Sequence, residues 1–489
     1  MTKKFVILGG GTAGLLAALM LNEKFPFSKI CIVKSGEIGI IGVGEGSTEH
    51  FRNFIEFVGI DHKELIYETN ATIKIGILFK DWTLGKQYCH SVGLESTISG
   101  LFKPDVFNLM LLENKTHFLN TEFEKVYMNN NVVVTDNLLP SNQFHFDTFK
   151  LNSYLTKKCL ERDIKIIDTI VTDVKLDDSG NLRTLLCQDD TKISGDFFFD
   201  CSGFKRVLSS KLGVKWQDLG KYLPLNHAIA FPTEHDGDYI EPYTSCVALK
   251  NGWVWKIPTQ ERYGNGYVFC DKFINTDQAI SEISQHLGKK VEKIGRDIKF
   301  SAGKVEKFWH KNVLSIGLSG SFLEPLEAQS IGFTILQVFE FLKCFDAYTI
   351  NDNYSNVYNK VMDECFSNIV DYVQLHYITD RNDSEFWRSK CFELTDFNKY
   401  ELPLLRQGIF DTFWVNYQNR MFSIPNFYQI LAGLDLFDKD VIHHRMKQNR
   451  DVYNQNIQNR LEEIKNMRYN VMPHKKFLEI INFNYLNNH

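Results

Sequence analysis

The hydrophobic pattern of residues 1–35 predicts a strand, a helix and a second strand in succession. Phe5–Leu8 and Ile30–Val33 are uninterrupted apolar runs typical of buried strands. Between them, Leu15–Asn22 is rich in alanine and leucine and predicts a helix. A tight glycine turn, Gly9–Gly14, joins the first strand to this helix. This order of elements predicts a βαβ unit with parallel strands.

Predicted strands and helices alternate up to about residue 345, and the pattern becomes mainly helical beyond it. The clearest elements of the first part are a strand at Asn70–Trp82, a helix at Phe146–Leu160, strands at Phe197–Asp200 and Val313–Ile316, and a helix from about Ser330. We therefore predict an N-terminal module of residues 1–345 and a helical C-terminal module of residues 346–489, which we expect to bind the substrate.

Composition excludes several classes of function. The 489 residues carry a net charge of −5, which does not suggest a nucleic-acid partner. No apolar run is long enough to predict a membrane span. The ten cysteines form no C-x-x-C pair and no Cys/His cluster with zinc spacing, so we predict no metal. We expect a cytoplasmic protein with reduced thiols, because the first strand begins at Phe5 and leaves no room for a signal peptide.

The glycine turn has the spacing of a dinucleotide-binding fingerprint. It reads G-x-G-x-x-G, and it lies between a predicted strand and a predicted helix. Glycines allow the backbone to approach a pyrophosphate, and the start of the helix supplies amides and the positive end of its dipole. An ordinary glycine turn is the alternative. We predict that the turn binds FAD through Gly9, Gly11, Thr12, Ala13 and Gly14.

One position departs from this fingerprint. A carboxylate that bonds the adenosine ribose is expected about twenty residues after the last glycine, and Lys34 stands there instead. Lysine would also suit the 2′-phosphate of NADP. We predict that Glu37 takes the ribose. We further predict a cofactor contact at Asp200, which ends a strand before Cys201-Ser202-Gly203.

Several sequence blocks, in the expected order, resemble the flavin-dependent tryptophan halogenase family. Gly252–Pro258 matches the family signature G-W-x-W-x-I-P in full. The other strong blocks are Ile41–Thr48, similar to the strap over the flavin, Ala71–Gly76, and Phe322–Glu327. Weaker similarities lie at residues 144–147, 200–204, 383–388 and 472–474. Together with the glycine turn, the resemblance implies an α/β fold with a Rossmann-type FAD module and mixed sheets, as in flavin monooxygenases.

The resemblance also implies a division of roles. Lys74 would hold hypohalous acid and present it to the substrate, and burial would lower the pKa of its amine. Glu327 would stabilise the positive ring or accept its proton. The implied halide site is formed by backbone amides at the start of a helix. Further implied contacts are Gln329 and Ser330 to halide, Gly44, Gly317 and Leu318 to FAD, Trp253 and Trp255 between flavin and substrate, and His90 to substrate.

The implied reaction needs reduced FAD (FADH2), O2 and a halide ion. Only one dinucleotide fingerprint is visible, so a separate flavin reductase is expected to supply FADH2. The implied substrate is a small aromatic molecule. The sequence does not distinguish a monomer from a homo-oligomer.

Two departures from the family concern specificity. The family has Ser-Thr-Gly where this chain has Ala328-Gln329-Ser330, which makes preference for bromide or iodide a hypothesis. Family members that act on free tryptophan have a C-terminal lid rich in Tyr and Trp, whereas residues 432–468 here predict a charged helical stretch, and no tryptophan follows Trp414. We therefore expect an electron-rich indole or phenol, held mainly by hydrophobic contact.

Two alternatives to halogenation follow from the sequence. A flavin monooxygenase that hydroxylates an aromatic ring would share the Rossmann start. A non-catalytic FAD-binding scaffold would share only the cofactor site, and it would give the reactive positions no purpose.

Overall fold

The computed structural model describes residues 3–37, 39, 44–91, 128–134, 143–291, 294–345, 352–408, 420–447, 451, 455, 459 and 470–488. In these ranges the strands, in chain order, are β1 Lys4–Leu8, β2 Lys29–Lys34, β3 Glu45–Gly46, β4 Thr72–Lys74, β5 Gly76–Lys80, β6 Gln87–Ser91, β7 Asn131–Val134, β8 Gln143–Phe146, β9 Lys165–Asp168, β10 Val171–Leu176, β11 Leu182–Cys187, β12 Lys192–Ser194, β13 Phe197–Asp200, β14 Trp216–Asp218, β15 His227–Thr233, β16 Thr244–Ala248, β17 Gly252–Pro258, β18 Tyr263–Phe269, β19 Arg296–Lys299, β20 Gly303–Val305, β21 Trp309–His310, β22 Val313–Ser315, β23 Ser321–Phe322 and β24 Asn470–Pro473.

The α-helices of the same ranges are α1 Thr12–Lys24, α2 His50–Phe57, α3 His62–Thr69, α4 Thr148–Leu160, α5 Val207–Lys211, α6 Thr276–Leu287, α7 Gln329–Cys344, α8 Asp352–Leu375, α9 Glu385–Ser389, α10 Leu402–Arg406, α11 Ile424–Gly433, α12 Lys439–Met446 and α13 His474–Asn488. Short 3₁₀ turns lie at Gly203–Lys205, Gly317–Ser319 and Leu326–Ala328, and a π turn lies at Phe397–Glu401.

The chain divides into two compact units, each built from three segments. Unit 1 comprises Met1–Asn70, Phe146–Gly220 and Phe300–Phe366, and unit 2 comprises Ala71–His145, Lys221–Lys299 and Ser367–His489. The single boundary expected near residue 345, between two functional modules, stays a prediction.

Unit 1 is organised around a six-stranded sheet of order β21-β22-β13-β1-β2-β9. Strand β1 runs parallel to both β13 and β2, and β22 and β9 extend the parallel part of the sheet. Helix α1 contacts α4 and α7, and it buries every residue from Gly14 to Leu21. The predicted βαβ start is therefore confirmed. The turns after β1, β13 and β22 meet at the carboxyl edge of the sheet, where cofactors bind in such folds.

Aromatic side chains fill much of the core of unit 1. Phe5, Phe197, Phe341 and Phe345 contact one another beside Trp309, with ring centroids 4.8–6.5 Å apart in the pairs. These side chains are buried, and aromatic pairs at such separations add to the hydrophobic stabilisation. Some of the 39 phenylalanines of the sequence thus serve packing in the core of this unit.

Unit 2 contains a seven-stranded mixed sheet of order β19-β15-β18-β17-β16-β5-β6. Strand β17, which carries the G-W-x-W-x-I-P residues, lies in its interior between β16 and β18. Next to this sheet in the chain, β4 pairs antiparallel with β8. The predicted strand at Asn70–Trp82 is therefore two short strands. Ile75 separates them, and its amide donates to the carbonyl of Pro242.

The remaining predicted elements start close to the expected positions. Helix α4 begins at Thr148 because the side chain of Asp147 caps it, accepting from the amides of Phe149 and Lys150. Helix α7 begins at Gln329. The described residues beyond 351 are mainly helical, with β24 as an exception. Among the described residues, no helix is both long enough and apolar enough to span a membrane.

Candidate active site

The glycine turn of unit 1 has the geometry that a dinucleotide requires. A Cβ on Gly9 would lie 2.1 Å from the carbonyl oxygen of Cys201, and a Cβ on Gly14 would lie 2.0 Å from the carbonyl oxygen of Gly9. These two glycines are therefore required by the fold itself. A Cβ on Gly11 would meet nothing within 4 Å, so this position borders open space.

The open space at Gly11 lies at the start of α1. Gly11 is the N-cap of this helix and has no side chain with which to cap the first turn. The amides of Thr12 and Ala13 therefore begin a helix whose positive dipole end faces this space. These residues fit the pyrophosphate of FAD.

Asp200 holds a loop beside this turn. It is completely buried at the end of β13, and its carboxylate accepts from the Ser202 hydroxyl at 2.6 Å and from the amides of Leu208 and Ser209 at 2.9 and 2.8 Å. Because protein donors use both carboxylate oxygens, Asp200 shapes the loop after β13. Its predicted contact with the cofactor stays a prediction.

The adenosine end of the predicted site contains a carboxylate that sequence reasoning missed. Asp168 ends β9 in register with Lys34, and it accepts from the amide of Gly36 at 3.0 Å. It therefore lies at the sheet edge where a ribose carboxylate is expected. Glu37 is exposed one residue beyond Gly36. The sequence does not indicate Asp168, because it lies on β9, far along the chain from Lys34 on the neighbouring strand β2.

The strap segment is described from Gly44 onward, and residues 40–43 lie outside the described residues. The Gly44 amide donates to the Thr148 hydroxyl at 3.1 Å, which fixes the strap to the start of α4. In Glu45, the Oε2 atom is enclosed and has no hydrogen-bond partner. Burial raises the pKa of this carboxyl to about 7. Sequence reasoning did not single out Glu45.

Glu327 lies at a strained turn. It is 3% exposed, and its φ of 69° and the φ of 53° at Ala328 place two consecutive non-glycine residues in the left-handed region. Such conformations cost about 1–3 kcal/mol each and concentrate at functional sites. The turn therefore fixes the direction of the Glu327 side chain where it leads into α7.

The residues after Glu327 begin α7 without a side-chain cap. Gln329 and Ser330 occupy the first turn, where backbone amides favour an anion. The Gln329 side chain donates to the Glu324 carbonyl at 2.8 Å, and its own Oε1 is buried without a hydrogen-bond partner. A Cβ on Gly317 would lie 2.7 Å from the Cβ of Ala13, so the turn that includes Leu318 lies against the start of α1.

Lys74 of unit 2 is buried on β4, with only 1% of its surface exposed. It is opposite Gln143 in the β4–β8 pair, and Thr72 is opposite His145. Because alternate residues of a strand point to the same face, these four side chains share one face. A buried lysine on a short strand is unusual, since ammonium groups are costly to bury. Lysines are mostly exposed, so the residue type alone would favour a surface position at the end of a strand, and the burial of Lys74 contradicts that interpretation.

Trp253 and Trp255 share one face of β17, as their spacing predicts. Their ring centroids are 6.0 Å apart, and they are 1% and 8% exposed. A Cβ on Gly266, opposite Trp255 in β18, would lie 2.0 Å from the Trp255 ring. Gly266 therefore makes room for the Trp255 ring.

His90 of unit 2 is buried and bonded to protein side chains. Its Nδ1 lies 3.2 Å from the Tyr372 hydroxyl, and its Nε2 lies 2.9 Å from the side-chain amide nitrogen, Nδ2, of Asn426. Both ring nitrogens thus have partners within the protein. Contact of His90 with a substrate stays a prediction.

Comparison with known proteins identifies the family. The model of the tryptophan halogenase family matches residues 4–451. The chain belongs to the tryptophan halogenase family. It is therefore a flavin-dependent halogenase that uses FAD and halide and acts on small aromatic molecules, as predicted. The hydroxylase alternative is not favoured, and a non-catalytic scaffold does not fit this family of enzymes.

Individual halogenases resemble the chain over most of its length. Tryptophan 7-halogenase RebH of Lentzea aerocolonigenes is 28% identical over 478 residues, which cover 88% of this chain and 89% of RebH. A flavin-dependent halogenase from Xanthomonas campestris is 27% identical, with a TM-score of 0.79 and 98% of each chain covered. The structure of a tryptophan halogenase from Shewanella frigidimarina has a TM-score of 0.85 over 98% of each chain at 22% identity, which supports the fold alone. The predicted fold class is confirmed.

The candidate residues of this halogenase fall into two groups. Unit 1 contains the glycine turn, Asp200, the Gly317–Leu318 turn, Glu327 and the start of α7. Unit 2 contains Lys74, both tryptophans and His90.

Proposed function

We propose that this halogenase attaches a halogen to an electron-rich indole- or phenol-like ring through hypohalous acid relayed by Lys74. Reduced FAD, when bound, supplies two of the four electrons that O2 accepts, and the halide supplies the other two, so that FADH2, O2, halide and a proton give FAD, hypohalous acid and water. The aromatic C–H then becomes C–halogen and a second water forms. The observation that carries this proposal is the burial of Lys74 on a strand beside other buried polar groups.

Lys74 and Glu327 are the proposed catalytic residues. The Lys74 amine holds the oxidant by a hydrogen bond or as a haloamine, and its burial excludes the water that would carry the oxidant away. Glu327 stabilises the positive ring and takes the proton that the ring loses. Its support is the strained turn, which fixes the carboxylate before substrate arrives.

The proposed halide contacts are the amides of Gln329 and Ser330. Their support is the uncapped start of α7. The buried Gln329 side chain makes this site differ from one lined by Ser-Thr-Gly, and we propose that a larger halide is preferred. Competition between chloride, bromide and iodide at equal concentration tests this, and clear preference for chloride overturns it.

For the cofactor, we propose that Asp168 accepts a hydroxyl of the adenosine ribose in place of the carboxylate missing at Lys34. Asp168→Asn should weaken FAD binding in a fluorescence titration and leave FMN binding unchanged, because FMN lacks the adenosine. Equal weakening of both overturns the assignment. Glu37→Gln is the matched comparison, since Glu37 was the sequence-based choice. Gly44, Asp200, Gly317 and Leu318 are the further proposed FAD contacts.

The remaining parts of the proposal concern partners. A separate flavin reductase supplies FADH2 in a cytoplasmic setting, which ten cysteines without a disulfide support. Trp253 and Trp255 separate the flavin from the substrate, while His90 and the module of residues 346–489 contribute to substrate binding. Trp414 lies outside the described residues.

The test supplies the protein with a reductase, FAD and each halide, and uses mass spectrometry to detect products from a panel of indoles and phenols. Lys74→Ala should abolish halogenated product while oxidation of reduced FAD continues. Lys80→Ala is the control and should retain product, because Lys80 is the half-buried last residue of β5 and has no role in the proposed function. Full product from Lys74→Ala overturns the lysine relay, and a hydroxylated product would support the competing reaction.

A further inference from the structure

Two buried histidines contact β4, the strand that carries Lys74. His145 lies on β8 opposite Thr72, and His474 is the first residue of α13. Both are completely buried in unit 2. Neither has a role in the proposed function.

The hydrogen bonds of His145 determine its protonation. The Thr72 hydroxyl donates to the Pro258 carbonyl at 2.7 Å, so its oxygen must accept from His145 Nδ1, which lies 3.0 Å away. Because burial keeps this imidazole neutral, His145 Nε2 accepts from the Thr244 hydroxyl, 2.9 Å away. His145 is neutral, with its proton on Nδ1. Burial first, and then the charge of Lys74, keep the pKa of this imidazole well below its ordinary value.

This chain of bonds joins four strands. It runs from Thr244 on β16 through His145 on β8 and Thr72 on β4 to Pro258, the last residue of β17. Strand β17 also carries the two tryptophans of the candidate site. His145 therefore links the strand of the proposed catalytic lysine to the strand of the tryptophan pair.

His474 bonds the adjacent residue of β4. The amide of Ile73 donates to His474 Nε2 at 3.1 Å, so this nitrogen carries no proton. His474 Nδ1 must then donate to the Ile240 carbonyl, 3.1 Å away. His474 is neutral as well, and burial lowers the pKa of its imidazole to about 4.

We propose that His145 and His474 are positioning residues for Lys74. The two neutral imidazoles hold Thr72 and Ile73, the residues immediately before Lys74, and so fix where its amine meets the oxidant and the ring. The proposal rests on the proposed function, in which Lys74 delivers the halogen. Small displacements of a catalytic group reduce such a transfer strongly, because the reacting atoms must stay within about 3–3.5 Å.

The two histidines contact β4 through different ring nitrogens, which provides a reciprocal test. The asparagine amide group occupies the position of a histidine Nδ1, and the glutamine amide group reaches the position of Nε2. His145→Asn keeps a donor to Thr72, whereas His145→Gln loses it. His474→Gln keeps an acceptor for Ile73, whereas His474→Asn loses it.

The measurement is halogenated product formed per reduced FAD oxidised, together with hypohalous acid that escapes to a chemical trap. We expect His145→Gln and His474→Asn to lower the product ratio at least about tenfold and to raise escaped oxidant, with the rate of FAD oxidation unchanged. His145→Asn and His474→Gln should stay within about threefold of wild type. Equal ratios for the two variants at each position, whether high or low, overturn the proposal.

A control and a second measurement complete the test. His227→Gln removes a buried histidine of the same unit that bonds Asp297 at 2.5 Å, and should retain the product ratio whatever its effect on thermal stability. If a variant does not fold, ¹⁵N imidazole shifts of the wild-type protein decide: neutral Nδ1–H rings at His145 and His474 support the proposal, and any other form overturns it. Lys74→Ala separates the positioning proposal from the proposed function. Halogenated product from Lys74→Ala refutes the relay through Lys74. No product from Lys74→Ala, together with normal product from all four histidine variants, refutes only the positioning role.

Discussion

The buried imidazole of His474 should make the stability of this protein depend on pH in a defined direction. The folded protein keeps His474 neutral, with a pKa of about 4, whereas an unfolded histidine binds a proton near pH 6.5. Between these values the unfolded chain holds one more proton than the folded chain. Stability from this group is therefore complete above pH 6.5 and is lost as pH falls from 6.5 toward 4.

The magnitude follows from the interval that an experiment can span. From pH 6.5 to pH 5 is about 1.5 units, and each unit corresponds to about 1.4 kcal/mol, so His474 should cost about 2 kcal/mol at pH 5. Other buried groups act in the opposite direction, since burial raises the pKa of Asp371 to about 7 and that of Glu45 to about 7. The wild-type curve alone therefore does not isolate His474.

The comparison with His474→Gln isolates it, because glutamine keeps the acceptor for the Ile73 amide and does not titrate. Urea unfolding of both proteins at pH 7 and pH 5, followed by circular dichroism, gives the free energy of unfolding. The wild type should lose about 2 kcal/mol more than the variant between these pH values. Identical pH dependence would mean that folded His474 carries a proton, and the bond from Ile73 to Nε2 would then be impossible.

Four further substitutions concern three glycines and Asp200. Gly11→Ala should weaken FAD binding at least about tenfold in a fluorescence titration and change the unfolding free energy of the apoprotein by at most about 1 kcal/mol, because the added Cβ meets only open space. Gly14→Ala should instead destabilise the fold by about 1–3 kcal/mol or more, since its Cβ would lie 2.0 Å from a carbonyl oxygen. Unchanged FAD affinity in Gly11→Ala would contradict the assigned pyrophosphate position. Asp200→Asn should lower the free energy of unfolding by about 2 kcal/mol, because one amide oxygen replaces two carboxylate acceptors. An unchanged free energy of unfolding would contradict the role of Asp200 in holding the loop after β13. Gly266→Ala should displace the ring of Trp255 and shift tryptophan fluorescence, and an unchanged spectrum would show that the ring does not rest on this glycine.

The glycine turn could be predicted from sequence because its constraints are local. Gly9 and Gly14 lie five positions apart, and the carbonyl of one excludes a side chain on the other. Burial of Lys74 could be anticipated from the resemblance, although its pattern alone would favour an exposed residue. The strand predicted at Asn70–Trp82 was too long, because hydrophobicity does not register the bond from Ile75 to Pro242 that divides it.

The polar partners of the candidate site could not be predicted in the same way. Asp168 stands near Lys34 only because β9 pairs with β2 in the sheet. The residues 144–147 and 472–474 were noted as weak similarities, but nothing in them indicates that both histidines bond one strand. His145 is 73 residues from Thr72, and His474 is 401 residues from Ile73.

The sequence by itself determined the βαβ start, the glycine turn and the chemical types of the candidate residues, because these depend on neighbours a few positions apart. Only the tertiary structure decided that Lys74 is buried beside neutral histidines, that Glu327 sits on a left-handed turn, and that Asp168 lies where a ribose carboxylate is expected. The physical reason is that a hydrogen bond or a pKa depends on which groups meet in space. Strand pairing and burial bring these groups together from distant positions in the chain.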